Sequence, residues 1–141
     1  MTAVTKLRLS ERYAQKAAFM LAPLGRIFIA LIFVMSGMNK ISQYSATQAY
    51  MDMMGVPGFL LPLVIALEVV AGIFIIIGYQ VRISALLLAG FTVLSALMFH
   101  ADFSDQLQMI SFMKNIAIAG GFLMLVVHGG GAMSLDNRQQ A

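Results

Sequence analysis

The sequence contains no cysteine and no tryptophan, and charged residues make up only 11% of its 141 positions. Without cysteine the chain can form no disulfide, no thiolate metal site and no covalent attachment to haem c. A soluble domain usually carries about 25% charged residues, so the low charge argues against that class. Hydrophobic residues instead make up 60% of the chain, and the mean hydropathy is +0.87. This composition is typical of an integral membrane protein.

Four apolar stretches are each close to the length that an α-helix needs to cross a bilayer, which is about 20 residues. They cover residues 17–38, 59–78, 83–99 and 112–127. We therefore predict an all-α protein, an integral membrane four-helix bundle. It would consist of a single transmembrane domain at residues 17–128, preceded by a basic cytoplasmic tail at residues 1–16 and followed by a cytoplasmic tail at residues 129–141.

The distribution of Lys and Arg predicts which way the bundle faces. If the N-terminus lies inside, two of these residues, Lys40 and Lys114, fall on the outer side. Six fall on the inner side, namely Lys6, Arg8, Arg12, Lys16, Arg82 and Arg138. Cytoplasmic loops carry the excess of Lys and Arg, so both termini are expected in the cytoplasm. The basic tail then lies near anionic lipid headgroups, and the net charge of +3 requires no nucleic-acid partner.

The first outer loop carries helix signals of its own. Ser45, followed three residues later by Gln48, forms a capping-box pattern, and Gly55 and Pro57 are typical of a helix end. The apolar residues between these signals share one side. We predict a short amphipathic helix here, lying against the outer membrane surface or across the mouth of the bundle.

Arg26 and Glu68 lie well inside apolar spans, where an ionisable group costs at least about 2.5–3.5 kcal/mol. Counted from the outer ends of their spans, at Met38 and Gly58, they lie roughly 18 Å and 15 Å deep. Depths this similar predict an Arg26–Glu68 ion pair inside the bundle. The pair has two interpretations, a functional site and a lock on helix packing, and both stay open.

Helical spacing places further polar residues on inward faces. One stripe of the first span holds Arg26, Ala30, Phe33, Gly37 and Lys40. Inward stripes of the other spans would add Glu68, His100 and Lys114 in the outer half of the bundle. This is an excess of positive charge around one carboxylate, which would suit an anion or a polarised carbonyl. For Lys40, His100 and Lys114 the alternative is ordinary snorkelling to the interface.

The histidines and acids restrict the cofactors. His100 ends the third span and His128 ends the fourth on opposite sides of the bilayer, about 30 Å apart, so they cannot both ligate one haem. Glu68 is the only acid within a span, so no paired-carboxylate site is expected. No metal site is predicted.

Several small and polar residues follow one another in a characteristic order. They are Gly25-Arg26, Gly37, Lys40, Met54-Gly55-Val56-Pro57, Glu68, Gly78, Arg82, His100, Lys114-Asn115 and Gly129 to Ser134-Leu135-Asp136. This ordered set resembles the DoxX family of small four-helix bacterial inner-membrane proteins, over roughly residues 24–136. The resemblance implies a multi-pass protein of the bacterial inner membrane.

The resemblance also implies a class of ligand. Some members of the family are similar to subunits of a thiosulfate–quinone oxidoreductase, and others are implicated in membrane redox-stress complexes. By that resemblance Arg26, Glu68, His100 and Lys114 would line a site for a quinone headgroup or an oxyanion. Asn115 joins these candidates through the Lys114-Asn115 motif.

Three functions follow as alternatives. The first is a redox-associated, quinone-linked membrane subunit with a membrane or redox protein as its partner. The second is a non-catalytic membrane scaffold or assembly partner, in which an ion pair fixes the helix register. The third is passage of a small solute or protons. Enzymatic activity is left open, and so is oligomerisation in the lipid bilayer.

Overall fold

The computed structural model describes residues 3–139, and the side chains of these residues except for residues 3, 4 and 6. The outermost residues of the two predicted tails, 1–2 and 140–141, lie outside the described part. Within it the α-helices are α1 (Ala3–Ser42), α2 (Tyr44–Met53), α3 (Leu61–Ala66), α4 (Gly72–Ile77), α5 (Val81–Phe99), α6 (Gln106–His128) and α7 (Leu135–Gln139). A 3₁₀ turn at Gly58–Leu60 precedes α3, and a π-helical segment at Leu67–Ala71 joins α3 to α4.

Four of these helical stretches are long and apolar enough to cross a membrane. They are Leu7–Ser42, Gly58–Ile77, Val81–Phe99 and Gln106–His128. The predicted all-α fold with four spans is therefore confirmed. We call Gly58–Ile77 the second span, since its 3₁₀, α and π pieces form one uninterrupted helical rod.

Two helices continue well beyond the apolar stretches that predicted them. α1 begins at Ala3 rather than near residue 17, and α6 begins at Gln106 rather than near residue 112. Hydropathy detects only the lipid-compatible part of a helix, and a polar sequence with good helix formers can extend it. At the start of α6 the Asp105 side chain accepts a hydrogen bond from Leu107 N at 2.8 Å, which is an N-cap.

The spans alternate in direction, so the bundle has two distinct ends. The loop end consists of residues 43–57 and 100–105, which join α1 to the second span and α5 to α6. The terminal end consists of the tight turn at residues 78–80 and of α7. At that turn Gly78 adopts a φ of +80°, which ends α4 in the left-handed conformation that favours glycine.

Glycines set the contact between α1 and the second span. A Cβ placed on Gly37 would lie 2.6 Å from Val69 Cγ2, and one placed on Gly72 would lie 2.7 Å from Val34 Cγ2. The two backbones can approach this closely only because both positions lack a side chain, as is common at membrane helix interfaces. These contacts also fix the register, since they place Gly37 level with Val69 and Glu68.

The inner core is small and apolar, and the outer surface is apolar as well. Phe33, Ile75, Leu88 and Phe122 are buried where the spans meet. Outward-facing residues such as Phe28 and Leu63 are more than 60% exposed. Large exposed apolar side chains all around a helix bundle are what contact with lipid tails requires.

The predicted loop helix exists as α2, but the predicted capping box is wrong. α1 ends at Ser42 and α2 begins at Tyr44, so Ser45 already lies inside a helix and the N-cap residue, Gln43, makes no side-chain cap. Gln48 Nε2 instead donates to the carbonyl of Gly58 at 3.3 Å. Because the two helices almost join, the chain has no loop in which the capping pattern could act.

Candidate functional site

The buried carboxylate of Glu68 is paired with Lys40. Lys40 Nζ lies 3.0 Å from both Oε1 and Oε2 of Glu68 and donates a hydrogen bond to Oε1. The Ser36 hydroxyl links the two, since it accepts from Lys40 Nζ at 2.6 Å and donates to Glu68 Oε1 at 3.3 Å. Ser36 and Lys40 are one helical turn apart on α1, so a single face of that helix supplies both partners.

One oxygen of this carboxylate has no hydrogen-bond donor among the described residues. Glu68 is only 3% exposed, and its Oε2 accepts no hydrogen bond from the described residues. The ammonium of Lys40 lies close to Oε2 but does not have hydrogen-bond geometry toward it. A buried acceptor without a donor is costly, so this atom calls for a specific explanation.

A π-helical segment carries Glu68. Leu67–Ala71 is wound with the wider π turn between two ordinary α-helical pieces. Such segments are rare and occur frequently at functional sites, because the extra residue turns a side chain to a new direction. Gly37 lies against this segment, as the close approach of its position to Glu68 Cβ and Val69 shows.

Glu68 and Lys40 border a cavity of about 470 Å³ at the loop end. This volume lies within the range typical of small-molecule pockets, about 300–1,000 Å³. The walls are mainly apolar and come from α1, α2, the second span, α5 and α6. The polar lining residues are Ser36, Lys40, Thr47, Tyr50, Glu68, Thr92, Ser95, His100 and Asn115.

α2 covers the cavity from the loop end. Met51 of α2 is buried with Val56 and Leu61 in a second apolar cluster, which anchors α2 to the start of the second span. Tyr50 stacks on Phe99 with ring centroids 5.7 Å apart, and this contact joins α2 to the end of α5. The predicted helix therefore lies across the mouth of the bundle, the second of its two predicted positions.

One side of the cavity reaches the lipid-facing surface. Three of its lining residues, Ile32, Leu94 and Met98, are at least half exposed. Their exposed faces belong to the apolar outer surface of α1 and α5. A lipophilic molecule dissolved in the bilayer could therefore reach the cavity from the side.

Four of the predicted site residues meet at this cavity: Lys40, Glu68, His100 and Asn115. His100 is fixed by Gln108, whose Oε1 lies 2.7 Å from His100 Nδ1. Lys114 does not join them, because its side chain is exposed on the outer surface of α6 while its neighbour Asn115 faces the cavity.

The predicted Arg26–Glu68 ion pair is wrong. Arg26 is buried, but its guanidinium donates to backbone carbonyls, from Nη1 to Ile75 O at 3.3 Å and from Nη2 to Met133 O at 2.9 Å. The acidic side chain whose charge acts on it is that of Asp136. Arg26 therefore belongs to the terminal end and not to the cavity.

The reason for the error is the helix register. Glu68 is level with Gly37, and Gly37 lies 11 residues from Arg26, which is about 16 Å along α1. The prediction assumes that Met38 and Gly58 lie at the same depth in the membrane. In the structure the second span begins further toward the loop end than Met38. Lys40, and not Arg26, is therefore the basic residue within reach of the carboxylate.

Arg26 helps to hold a segment that we call the C-terminal clasp, Gly129–Gln139. Asp136 accepts hydrogen bonds from the backbone N–H groups of Gln80 at 2.7 Å and Val81 at 2.9 Å, and so caps α5. Its own N–H donates to Gly78 O at 2.9 Å. Arg26 and Asp136 are thus matched to backbone groups, apart from Arg26 Nε, which has no partner among the described residues.

Ser36, Thr92 and Ser95 also line the cavity and escaped the sequence-based prediction. Hydroxyl side chains carry no charge and are common in membrane spans, so their presence alone did not mark them as site residues. Their helical spacing was the available signal, since Ser36 precedes Lys40 by four residues. No group of three or more His, Asp or Glu side chains in residues 3–139 is arranged to hold a metal ion.

The sequence is similar to those of known proteins. The DoxX family profile matches residues 21–101. The inner membrane protein YqjF of Escherichia coli K12 is 49% identical over 111 residues, which cover 79% of this chain and 85% of that protein. The inner membrane protein YphA of the same organism is 38% identical over 122 residues, covering 82% and 87%. No solved structure gives a significant match.

Proposed function

Because the chain belongs to the DoxX family of multi-pass inner-membrane proteins, we propose that it binds a lipophilic quinone in the loop-end cavity and acts as a redox-associated membrane subunit. One observation carries this proposal. The cavity combines apolar walls, a polar pair at one side and a lateral opening toward lipid. A quinone has the matching form, a flat apolar ring with polar oxygens and a tail that stays in the bilayer.

Each part of the cavity has a role in this function. The apolar residues of α5 and the second span would enclose the ring, since burial of apolar surface provides most of the affinity in such sites. Lys40 would donate to a ring oxygen, because its ammonium has three N–H groups and uses two of them on Ser36 and Glu68. α2 would exclude water from the loop end.

The test is direct binding of a short-chain ubiquinone to the purified protein in mild detergent, followed by native mass spectrometry and equilibrium dialysis. We expect one quinone per chain. Ser95→Phe should obstruct the cavity and abolish binding without altering any charge. Leu97→Phe is the matched control, since it adds the same side chain to the same helix on the lipid-facing side, where Leu97 is 54% exposed.

Two results would count against this function. The first is a folded wild-type protein that takes up no quinone. The second is binding that Ser95→Phe and Leu97→Phe reduce equally, because the quinone would then occupy the detergent or the outer surface and not the cavity.

The proposal includes the orientation, with both termini in the cytoplasm and the cavity in the outer half of the membrane. Arg8, Arg12, Lys16 and Arg138 are exposed at or beyond the terminal end, as the positive-inside rule requires of the cytoplasmic side. The absence of cysteine allows a clean test. An impermeant maleimide should label Ala101→Cys in intact cells and Gln139→Cys only after lysis, and the reverse pattern would overturn the orientation.

A scaffold function without a ligand is the second candidate, and one observation favours it. Glu68, Lys40 and Gly37 also fix how α1 packs on the second span, so the pair could serve packing alone. In that case the charge-swapped variant Lys40→Glu/Glu68→Lys should restore the melting temperature lost in Glu68→Lys, and the folded wild-type protein should take up no quinone.

A further inference from the structure

We infer that the cavity distinguishes between the two redox forms of its proposed ligand and binds the reduced form, the quinol, in preference to the quinone. This inference rests on the proposed function. Its basis is the set of hydrogen-bond donors and acceptors around Glu68, which is incomplete in one particular way.

The pair contributes one spare donor and one spare acceptor. Lys40 Nζ donates to Ser36 Oγ and to Glu68 Oε1, which leaves one of its three N–H groups. Glu68 Oε2 accepts no hydrogen bond from the described residues, although Glu68 is only 3% exposed. A ligand group that accepts from Lys40 and also donates to Glu68 Oε2 would therefore complete the hydrogen bonds on the polar side of the cavity.

A quinol hydroxyl supplies both functions, whereas a quinone carbonyl supplies only one. The hydroxyl oxygen can accept from Lys40 while its hydrogen is donated to Glu68 Oε2. A carbonyl can accept from Lys40 but has no hydrogen to donate to Oε2. Sites with a buried polar group discriminate strongly against an analogue that cannot pair with it.

The geometry allows this contact with little rearrangement. Oε2 is itself covered, but the terminal torsion of a glutamate is broad, so the carboxylate can turn toward a donor in the cavity. The hydrogen bonds to Oε1 and the 3.0 Å contact between Oε2 and Lys40 Nζ have to adjust, and Ser36 and Lys40 can follow the carboxylate because both end in rotatable groups.

The second acceptor lies at the rim. Because His100 Nδ1 pairs with Gln108 Oε1, a neutral His100 ring donates from Nδ1 and leaves Nε2 as an acceptor. His100 also lines the cavity, and in this tautomer its Nε2 can pair with a hydroxyl but not with a carbonyl. Glu68 and His100, together with Lys40, are therefore consistent with a hydroxylated ligand.

The experiment compares three ligands on the wild-type protein under anaerobic conditions: decylubiquinol, decylubiquinone and the dimethyl ether of the quinol. The ether has the same ring and tail but no O–H. We expect the quinol to bind about tenfold more tightly than the quinone, the ratio expected for one hydrogen bond to a charged acceptor. The ether should bind no better than the quinone.

The variant Glu68→Gln adds a second measurement, with its melting temperature as the control for folding. It should bring the quinol-to-quinone ratio close to one, because an amide offers a donor to the carbonyl as well as an acceptor to the hydroxyl. The comparison of the three ligands on the wild type does not depend on whether this variant folds.

The outcomes separate the inference from the proposed function. If quinol and quinone bind equally well, or the quinone binds better, and Ser95→Phe blocks both, the redox preference is wrong and the quinone site stands. If none of the three ligands binds to folded protein, the proposed function and the inference fail together.

Discussion

Arg26 and Glu68 are both buried charges in apolar spans, yet they belong to two different kinds of environment. At the terminal end, Arg26 donates to the carbonyls of Ile75 and Met133, and Asp136 accepts from the N–H groups of Gln80 and Val81. At the loop end, Glu68 faces side chains and a cavity, and its Oε2 lies 3.0 Å from Lys40 Nζ but accepts no hydrogen bond from the described residues.

This difference separates two uses of charge within a membrane. Backbone groups at helix ends need partners wherever water is excluded, and charged side chains are strong partners for them. Arg26 is used in this way, and although its Nε has no partner among the described residues, Arg26 does not line the loop-end cavity. A carboxylate that borders a cavity and keeps an oxygen without a hydrogen bond has the capacity to bind a ligand, which is why we assign structure to the terminal end and binding to the loop end.

The largest expected effect is at the terminal end, with Gly78→Ala. A Cβ at Gly78 would collide with Arg26 Nη1 and with the backbone of Ser134, and the φ of +80° is itself unfavourable for alanine. We expect a loss of about 3 kcal/mol or more in the free energy of unfolding, measured as a lower melting temperature in detergent.

Gly90→Ala is the control for that change. Gly90 lies within α5 with nothing within 4 Å of the added Cβ, so alanine should be neutral or stabilising by up to about 1 kcal/mol. If Gly78→Ala were as stable as Gly90→Ala, the close packing of Arg26 and the clasp on Gly78 would be refuted.

The next effect concerns the clasp. Asp136→Ala removes both caps from the start of α5 and should cost about 1–2 kcal/mol, while Asp136→Asn, which keeps an acceptor, should cost less. Hydrogen exchange should show faster exchange at Gln80 and Val81 in the alanine variant, with no change around the cavity. Faster exchange at the loop end as well would mean that the two ends are not independent.

A smaller effect on stability is expected at the loop end from Lys40→Met/Glu68→Gln. Replacing both members of a buried ion pair by uncharged residues of similar volume leaves no unpaired charge behind, so the free energy of unfolding should change by less than about 1 kcal/mol. Quinone and quinol binding should nevertheless be lost or strongly weakened. A large loss of stability in this double variant would favour the scaffold function, since the pair would then be needed for packing.

The smallest effect is expected for Lys114→Leu. Lys114 is exposed on α6 and does not line the cavity, so its loss should alter stability by less than about 0.5 kcal/mol and leave ligand binding unchanged. A clear fall in quinone affinity in this variant would show that the site extends to the outer surface of α6, as the sequence had suggested.

The sequence predicted the fold better than the site. Apolar stretches reveal spans because the bilayer requires them, and the inward stripe of the first span is confirmed, since Arg26, Ala30, Phe33 and Gly37 are all buried. The partner of Glu68 depends on how far one helix slides along another, and hydropathy does not encode that. Gly37 and Gly72 set this register through contacts with single valines.

The clasp escaped prediction for a related reason. Asp136 lies in a short polar segment beyond the last span, where nothing local indicates that it caps a helix 55 residues earlier in the chain. Such a contact is visible only once the spans have been brought together. Lys114 shows the opposite failure, because it shares a motif with Asn115 but points away from the cavity that Asn115 lines.

The π-helical segment rotates the side chains on one side of it, around the axis of the second span, relative to those on the other side. An α-helix repeats every 3.6 residues, and one surplus residue rotates everything on one side of it by about 100° relative to the other side. The half of the span near the loop end can therefore point Glu68 toward the cavity, while the half near the terminal end keeps Ile75 in the apolar core. Shortening Leu67–Ala71 by one residue would restore a regular period and force the span to give up one of these two alignments.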